Sequence, residues 1–164
     1  MSNKNYYRWG DQELIMVPVD DTTLVEIGDF ICRVIQTDVD ADATLTINYG
    51  CPATYMVTGA SAAVDREKGA DQFLGISMSA SLDGDTDELI VATAGVWELV
   101  QFLAATIHVG DPVGIYSDGT NCADQTVVED ATSIIGICVE NKTSTALTGV
   151  MTKIIPMLLN TLNT

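Results

Sequence analysis

Gly95-Val-Trp-Glu-Leu-Val-Gln101 is the stretch on which the fold turns. With the two-residue period of a strand, Val96, Glu98 and Val100 fall on one face and Trp97, Leu99 and Gln101 on the other. This alternation predicts a strand that buries Trp97 and Leu99. A weaker helical reading covers Glu98–Ala105. Downstream, Ile134-Ile-Gly-Ile-Cys-Val139 is almost continuously apolar, the pattern of a strand buried on both faces.

Working outward, short runs rich in β-branched and aromatic residues recur along the chain. Upstream they are Leu14–Val19, Thr23–Ile27, Phe30–Ile35, Thr44–Tyr49, Thr54–Val57, Phe73–Ala80 and Glu88–Ala92. Downstream they are Thr106–Val109, Val113–Ser117, Gln125–Val128 and Gly149–Leu158. Asp-Gly and Gly-Asp pairs at 83–84, 118–119, 28–29 and 110–111 supply the turns. Helix is scarce, with Ala60–Lys68 the best candidate. The predicted class is all-β, a small β-barrel or jelly-roll-like sandwich. Residues 1–10 form an N-terminal arm, and residues 11–164 form one β-rich domain.

An internal repeat runs through these strands. Ile27-Gly28-Asp29 opens one copy and Val109-Gly110-Asp111 the other. Each is followed by an apolar-apolar-Gly-apolar strand, Phe73-Leu-Gly75-Ile76 and Ile134-Ile-Gly136-Ile137, and then by another apolar strand. The glycine-to-glycine spacing is 47 residues in the first copy (28 to 75) and 26 in the second (110 to 136). The first copy therefore carries an insertion of about twenty residues, placed at about 38–69. Glycine inside a strand marks close backbone packing or a bend.

The chain has 164 residues, enough to bury a real core. No run of eighteen apolar residues exists, so no helix of the sequence is expected to cross a membrane. The N-terminus lacks the apolar stretch of a secretion signal, which places the protein in the cytoplasm or in a particle assembled there. The net charge is −16, from 23 acids against 7 bases. Gly69 to Asn141 contains no Lys or Arg. Phosphate binding needs clustered cations, so nucleic acid is not an expected partner.

The residues offer little chemistry. His108 is the single histidine, inside an apolar run, and no Gly-x-Ser-x-Gly elbow, P-loop or dinucleotide fingerprint is present. No catalytic or cofactor-binding residue is assigned, and the protein is read as a non-enzyme with no cofactor. Cys32, Cys51, Cys122 and Cys138 form no Cys-x-x-Cys pair and read as buried reduced thiols. Two acidic clusters, Asp38–Asp42 and Asp83–Glu88, have the alternating carboxylates of a calcium loop. Neither has glycine at the sixth position or glutamate at the twelfth. Calcium stays a hypothesis for the second alone, testable by melting in millimolar calcium against chelator. Tyr6-Tyr7-Arg8-Trp9 sets three aromatics and a cation side by side ahead of the first strand. Such residues are enriched at protein interfaces, so these four are the candidate contact residues; the alternative is that Trp9 covers the end of the barrel.

The ordered pattern carries a resemblance. Phe73-Leu-Gly-Ile-Ser-Met-Ser-Ala80 is followed by an acidic turn and by Leu89-Ile-Val-Ala-Thr-Ala-Gly-Val-Trp-Glu-Leu99. Then come Ala105-Thr-Ile-His-Val-Gly-Asp-Pro-Val-Gly-Ile-Tyr-Ser-Asp-Gly119, Ile135-Gly-Ile-Cys-Val-Glu140 and a final apolar strand. From about Val25 to Leu158 this resembles the small capsid decoration, or cement, proteins of tailed bacteriophages. The 38–69 insertion and the aromatic N-terminus depart from that family's pattern. The resemblance implies a β-barrel body on the outer surface of an icosahedral capsid, bound to the major capsid protein and assembled as a homotrimer. A second reading is a carbohydrate- or receptor-binding β module, which needs exposed Trp or Tyr platforms.

Overall fold

The computed structural model of the protein describes residues 5–35, 45–56, 60–102, 106–142 and 149–155. The Asp38–Asp42 cluster lies outside them. The architecture is all-β with two sheets and one α-helix among the described residues. The strands are β1 (Tyr6–Trp9), β2 (Leu14–Val17), β3 (Phe30–Arg33), β4 (Gly50–Pro52), β5 (Phe73–Ser77) and β6 (Leu89–Ala92). They continue as β7 (Val96–Gln101), β8 (Pro112–Ser117), β9 (Cys122–Glu129), β10 (Gly136–Cys138) and β11 (Gly149–Ile154). Between β4 and β5 lie a 3₁₀ turn (Ala53–Tyr55) and helix α1 (Ala62–Gln72).

The internal repeat is present as a repeat of topology. One sheet runs β2-β6-β5-β3-β4, and the other contains β7-β11-β10-β8-β9 in the same relative order. The registers coincide as well. Leu14, Ile15, Met16 and Val17 face Ala92, Val91, Ile90 and Leu89, as Val96, Trp97, Glu98 and Leu99 face Lys153, Thr152, Met151 and Val150. In the second copy the parallel pairs Val100–Thr126 and Gln101–Val127 close the five strands into a barrel. In the first, one parallel bridge, Val19–Gly50, stands at the equivalent place.

The Gly-Asp pairs make the same turn in both copies. Gly28 and Gly110 have φ of 98° and 94°, a region that favours glycine. Asp29 Oδ2 accepts the Glu26 N–H at 2.6 Å, and Asp111 Oδ2 accepts the His108 N–H at 2.7 Å. Gly28 N–H donates to Ser77 O, and Gly110 N–H donates to Cys138 O, both at 2.9 Å. The in-strand glycines are equivalent too. A Cβ on Gly75 would overlap Ala92 O, and one on Gly136 would meet Lys153 O at 2.7 Å.

The extra length of the first copy divides in two. Arg33 to Gly50 spans 17 positions where Ile115 to Val127 spans 12. Pro52 to Gly75 spans 23 where Glu129 to Gly136 spans 7, and this larger excess holds the 3₁₀ turn and α1. Ser61 caps the helix, its Oγ accepting the Val64 N–H at 3.4 Å. The helix packs on β8 and β9 of the other copy. Cys122 Sγ donates to Asp65 O at 3.3 Å, and Cys32 Sγ donates to Gly69 O at 3.5 Å, so α1 is held between the two sheets. Arg66 Nε lies 3.0 Å from Asp130 Oδ2.

Val17, Val19, Val25, Ile31, Leu89 and Val91 fill the first barrel. A larger continuous cluster fills the second barrel and the seam, from Phe30 and Phe73 to Trp97, Leu99, Val150 and Ile154. Phe30 and Phe73 meet edge to face, with centroids 6.1 Å apart.

Several local expectations change. Val96–Gln101 is strand throughout, so the helical reading from Glu98 fails; Trp97 and Leu99 are buried, as their alternation requires. Ile137 is 39% exposed, so the Ile134–Val139 run is not buried on both faces. Its neighbours Ile135 and Cys138 are buried. Thr44–Tyr49 and Thr54–Val57 give way to a strand at Gly50–Pro52, between a turn at Ile47–Asn48 and the 3₁₀ turn. Thr23–Ile27 and Thr106–Val109 reduce to the single bridges Val25–Ser81 and Ile107–Lys142.

Candidate interaction surface

Tyr6–Trp9, expected as an arm ahead of the first strand, is itself a strand. β1 pairs antiparallel with β7, Tyr6 opposite Glu98, Tyr7 opposite Trp97 and Trp9 opposite Val96. Tyr7 meets the buried Trp97 edge to face at 5.6 Å, and Arg8 forms an ion pair with Glu98. β1 thus covers the half of the β7 edge that β9 leaves open, since β9 joins β7 only at Val100 and Gln101. Trp9 is 51% exposed beside Arg8. With Glu98, Glu140 and Met151 they border a groove of about 500 Å³.

The first copy carries the equivalent groove, about 560 Å³, where Met16, Ser79 and Ile90 stand for Glu98, Glu140 and Met151. Here no β1 borders it. Asp85, Asp87 and Glu88 do, and these residues belong to the Asp83–Glu88 acidic cluster. Among the described residues no three His, Cys, Asp or Glu side chains converge as metal ligands.

A third concavity crosses the seam, lined by Glu26, Asp29 and Asp124 among others. Gln125 Nε2 donates to Asp29 Oδ1 at 2.7 Å, and Thr54 N–H donates to Asp124 Oδ1 at 2.7 Å. Burial pushes the Asp124 carboxyl up to about 7, against the Thr54 hydrogen bond and with help from the negative charges of Asp29 and Glu26.

The thiols are built for packing. All four cysteines are free and buried. Burial pushes Cys51 and Cys122 up to about 12, so both are neutral thiols at pH 7. His108 is exposed in the 108–111 turn, where its main chain, not its ring, makes the hydrogen bond to Asp111. Phe102 and Tyr116 stack at 3.6 Å with 13° between planes, leaving Phe102 partly exposed.

Of the four candidate contact residues, the structure brings Tyr7, Arg8 and Trp9 together on one sheet edge, with Tyr6 completing the strand. The sequence reading missed the second groove and its open sheet edge; the internal repeat was the signal that pointed to both. Compared with known proteins, the chain matches no family model and no curated protein sequence.

Proposed function

We propose that this protein is a structural component that decorates and stabilises the outside of a bacteriophage capsid, bridging subunits of the major capsid protein as a homotrimer. The observation that carries the reading is the Arg8–Trp9 edge. It presents an exposed indole and a guanidinium beside a groove on an otherwise strongly acidic body. An aromatic-cation pair of this kind suits a docking contact, and many modest contacts summed over a shell give avidity. The acidic remainder suits a surface turned to solvent, because ionised carboxylates are costly to bury without partners.

The test uses the full chain with phage heads stripped of their decoration protein. The variant is Arg8→Ala/Trp9→Ala, which keeps the β1 main chain and the Tyr7–Trp97 contact. Wild type is expected to co-sediment with heads and to elute as a trimer by light scattering. The double variant is expected to melt within about 3 °C of wild type and to lose tenfold or more in apparent affinity. A monomer that fails to co-sediment overturns the reading.

Exposed Trp9 also favours a carbohydrate- or receptor-binding module, since an exposed indole is a platform for a sugar face. A glycan array separates the two, and hits that vanish in Trp9→Ala favour the module.

A further inference from the structure

The two copies of the repeat treat equivalent edges differently. In the second, β7 has β11 on one side and β1 on the other. In the first, β2 has β6 on one side and, among the described residues, no strand on the other along Leu14–Val17. Coverage of that side starts only at the Val19–Gly50 bridge.

The alternation of the ladder says which groups are left over. Thr93 N–H donates to Glu13 O at 2.8 Å, just as Ile154 N–H donates to Gly95 O at 3.1 Å. Hydrogen-bonded and outward-facing residues alternate along an antiparallel strand. Leu14 and Met16 therefore aim their N–H and C=O at the open edge, as Val96 and Glu98 aim theirs at β1. The side chains of Leu14 and Met16 are 54% and 57% exposed, next to exposed Ile90. An open apolar edge is a template for another strand.

We infer that the β2 edge accepts an extended strand from a partner protein, with apolar or aromatic residues alternating with Lys or Arg. β1 shows the chemistry that such an edge takes, because Tyr6–Trp9 occupies the equivalent edge and places Arg8 and Trp9 in the equivalent groove. Charge selects a cationic strand here. Asp85, Asp87 and Glu88 border the groove beside Met16, and no Lys or Arg occurs from Gly69 to Asn141. The main-chain ladder supplies affinity and the groove reads alternate side chains. Naming a capsid subunit as the donor rests on the function proposed above; the edge itself does not.

The probe is a capped peptide of residues 3–10, Asn-Lys-Asn-Tyr-Tyr-Arg-Trp-Gly, added to the full-length protein. Saturable binding is expected, with tenfold or greater slowing of amide exchange at Leu14 and Met16. A peptide carrying Glu at the Arg position is expected to bind at least fivefold more weakly, and so is the wild-type peptide to the Asp87→Asn/Glu88→Gln protein. No change at Leu14 and Met16 up to millimolar peptide overturns the inference. So does protection confined to Val96–Glu98, which marks exchange with β1. Concentration-dependent protection of the same amides without peptide, with a mass increase by light scattering, overturns it in favour of a second copy. Peptide binding without co-sedimentation on heads removes the capsid reading and leaves the edge standing.

Discussion

The first barrel is lined by Val17, Val19, Val25, Ile31, Leu89 and Val91; at the matching places the second has Leu99, Gln101, Ile107, Val113, Val150 and Thr152. Two of the six positions have turned polar. Ser81 of the first copy corresponds to Lys142 of the second, and Lys142 Nζ reaches inward to donate to Gln101 Oε1. The outer surfaces differ in the opposite sense, with an apolar open edge on the first copy and an ion-paired, strand-covered edge on the second. One strand plan therefore tolerates two interiors and two exteriors. What both copies hold in common is the backbone: the Gly-Asp turn, the in-strand glycine and the register.

If the backbone is what they share, the in-strand glycines are where the copies break most alike. Gly75→Ala is expected to cost about 2–6 kcal/mol, combining overpacking against Ala92 O with backbone strain at φ 156°. Gly136→Ala meets Lys153 O without a positive φ and is expected to cost about 1–3 kcal/mol. Urea unfolding of both variants checks the order; a cost under about 0.5 kcal/mol for either, the range of ordinary surface substitutions, rejects the close-packing account.

The same comparison explains what was legible in the sequence. The Gly-Asp pairs and the glycine strands stood out because the backbone itself constrains those positions. The match of Leu14–Val17 to Val96–Leu99 did not, because a strand asks only for apolar residues on one face, and Met16 and Glu98 share nothing else. β4 was missed because Gly50 and Pro52 read as breakers, although proline is tolerated at an edge. Tyr6–Trp9 looked like an arm because four residues before a glycine turn carry no alternation that separates a strand from a tail. The exposure of Ile137 was not legible, since its counterpart Ile76 follows the same in-strand glycine and is buried in the seam cluster, whereas the outer face of β10 has no such cover.

The polar interior of the second barrel gives a sharper test. Lys142→Ser leaves the buried Gln101 amide oxygen without this donor and is expected to cost about 1–3 kcal/mol. Gln101→Val/Lys142→Ser rebuilds the first copy's pair, Val19 and Ser81, and is expected to recover most of that loss. A double variant less stable than the single one would mean that the two interiors are not interchangeable.

A pH-dependent effect lies at the seam. Asp124 has a folded pKa of about 7, above its ordinary 3.8, so the folded protein holds a proton there that the unfolded chain has released. Stability from this group is complete below about pH 4 and is lost as pH rises through 7. Between pH 4 and 8 the wild-type Tm is expected to fall by roughly ten degrees more than that of Asp124→Asn, which carries no titrating carboxyl. Identical profiles would mean that the carboxyl titrates normally.

Helix α1 is encoded in the first copy and seated on the second. During synthesis the chain reaches Gln72 some forty residues before β8 begins at Pro112, so until β8 and β9 exist the helix has only its contact with β3. An isolated helix of 11 residues is too short to persist in water. The helix therefore gains its main packing surface only when the second copy has formed. Amide exchange along α1 then becomes a clock for the second barrel, opening with β8 and β9 rather than with the strands that flank the helix in the chain.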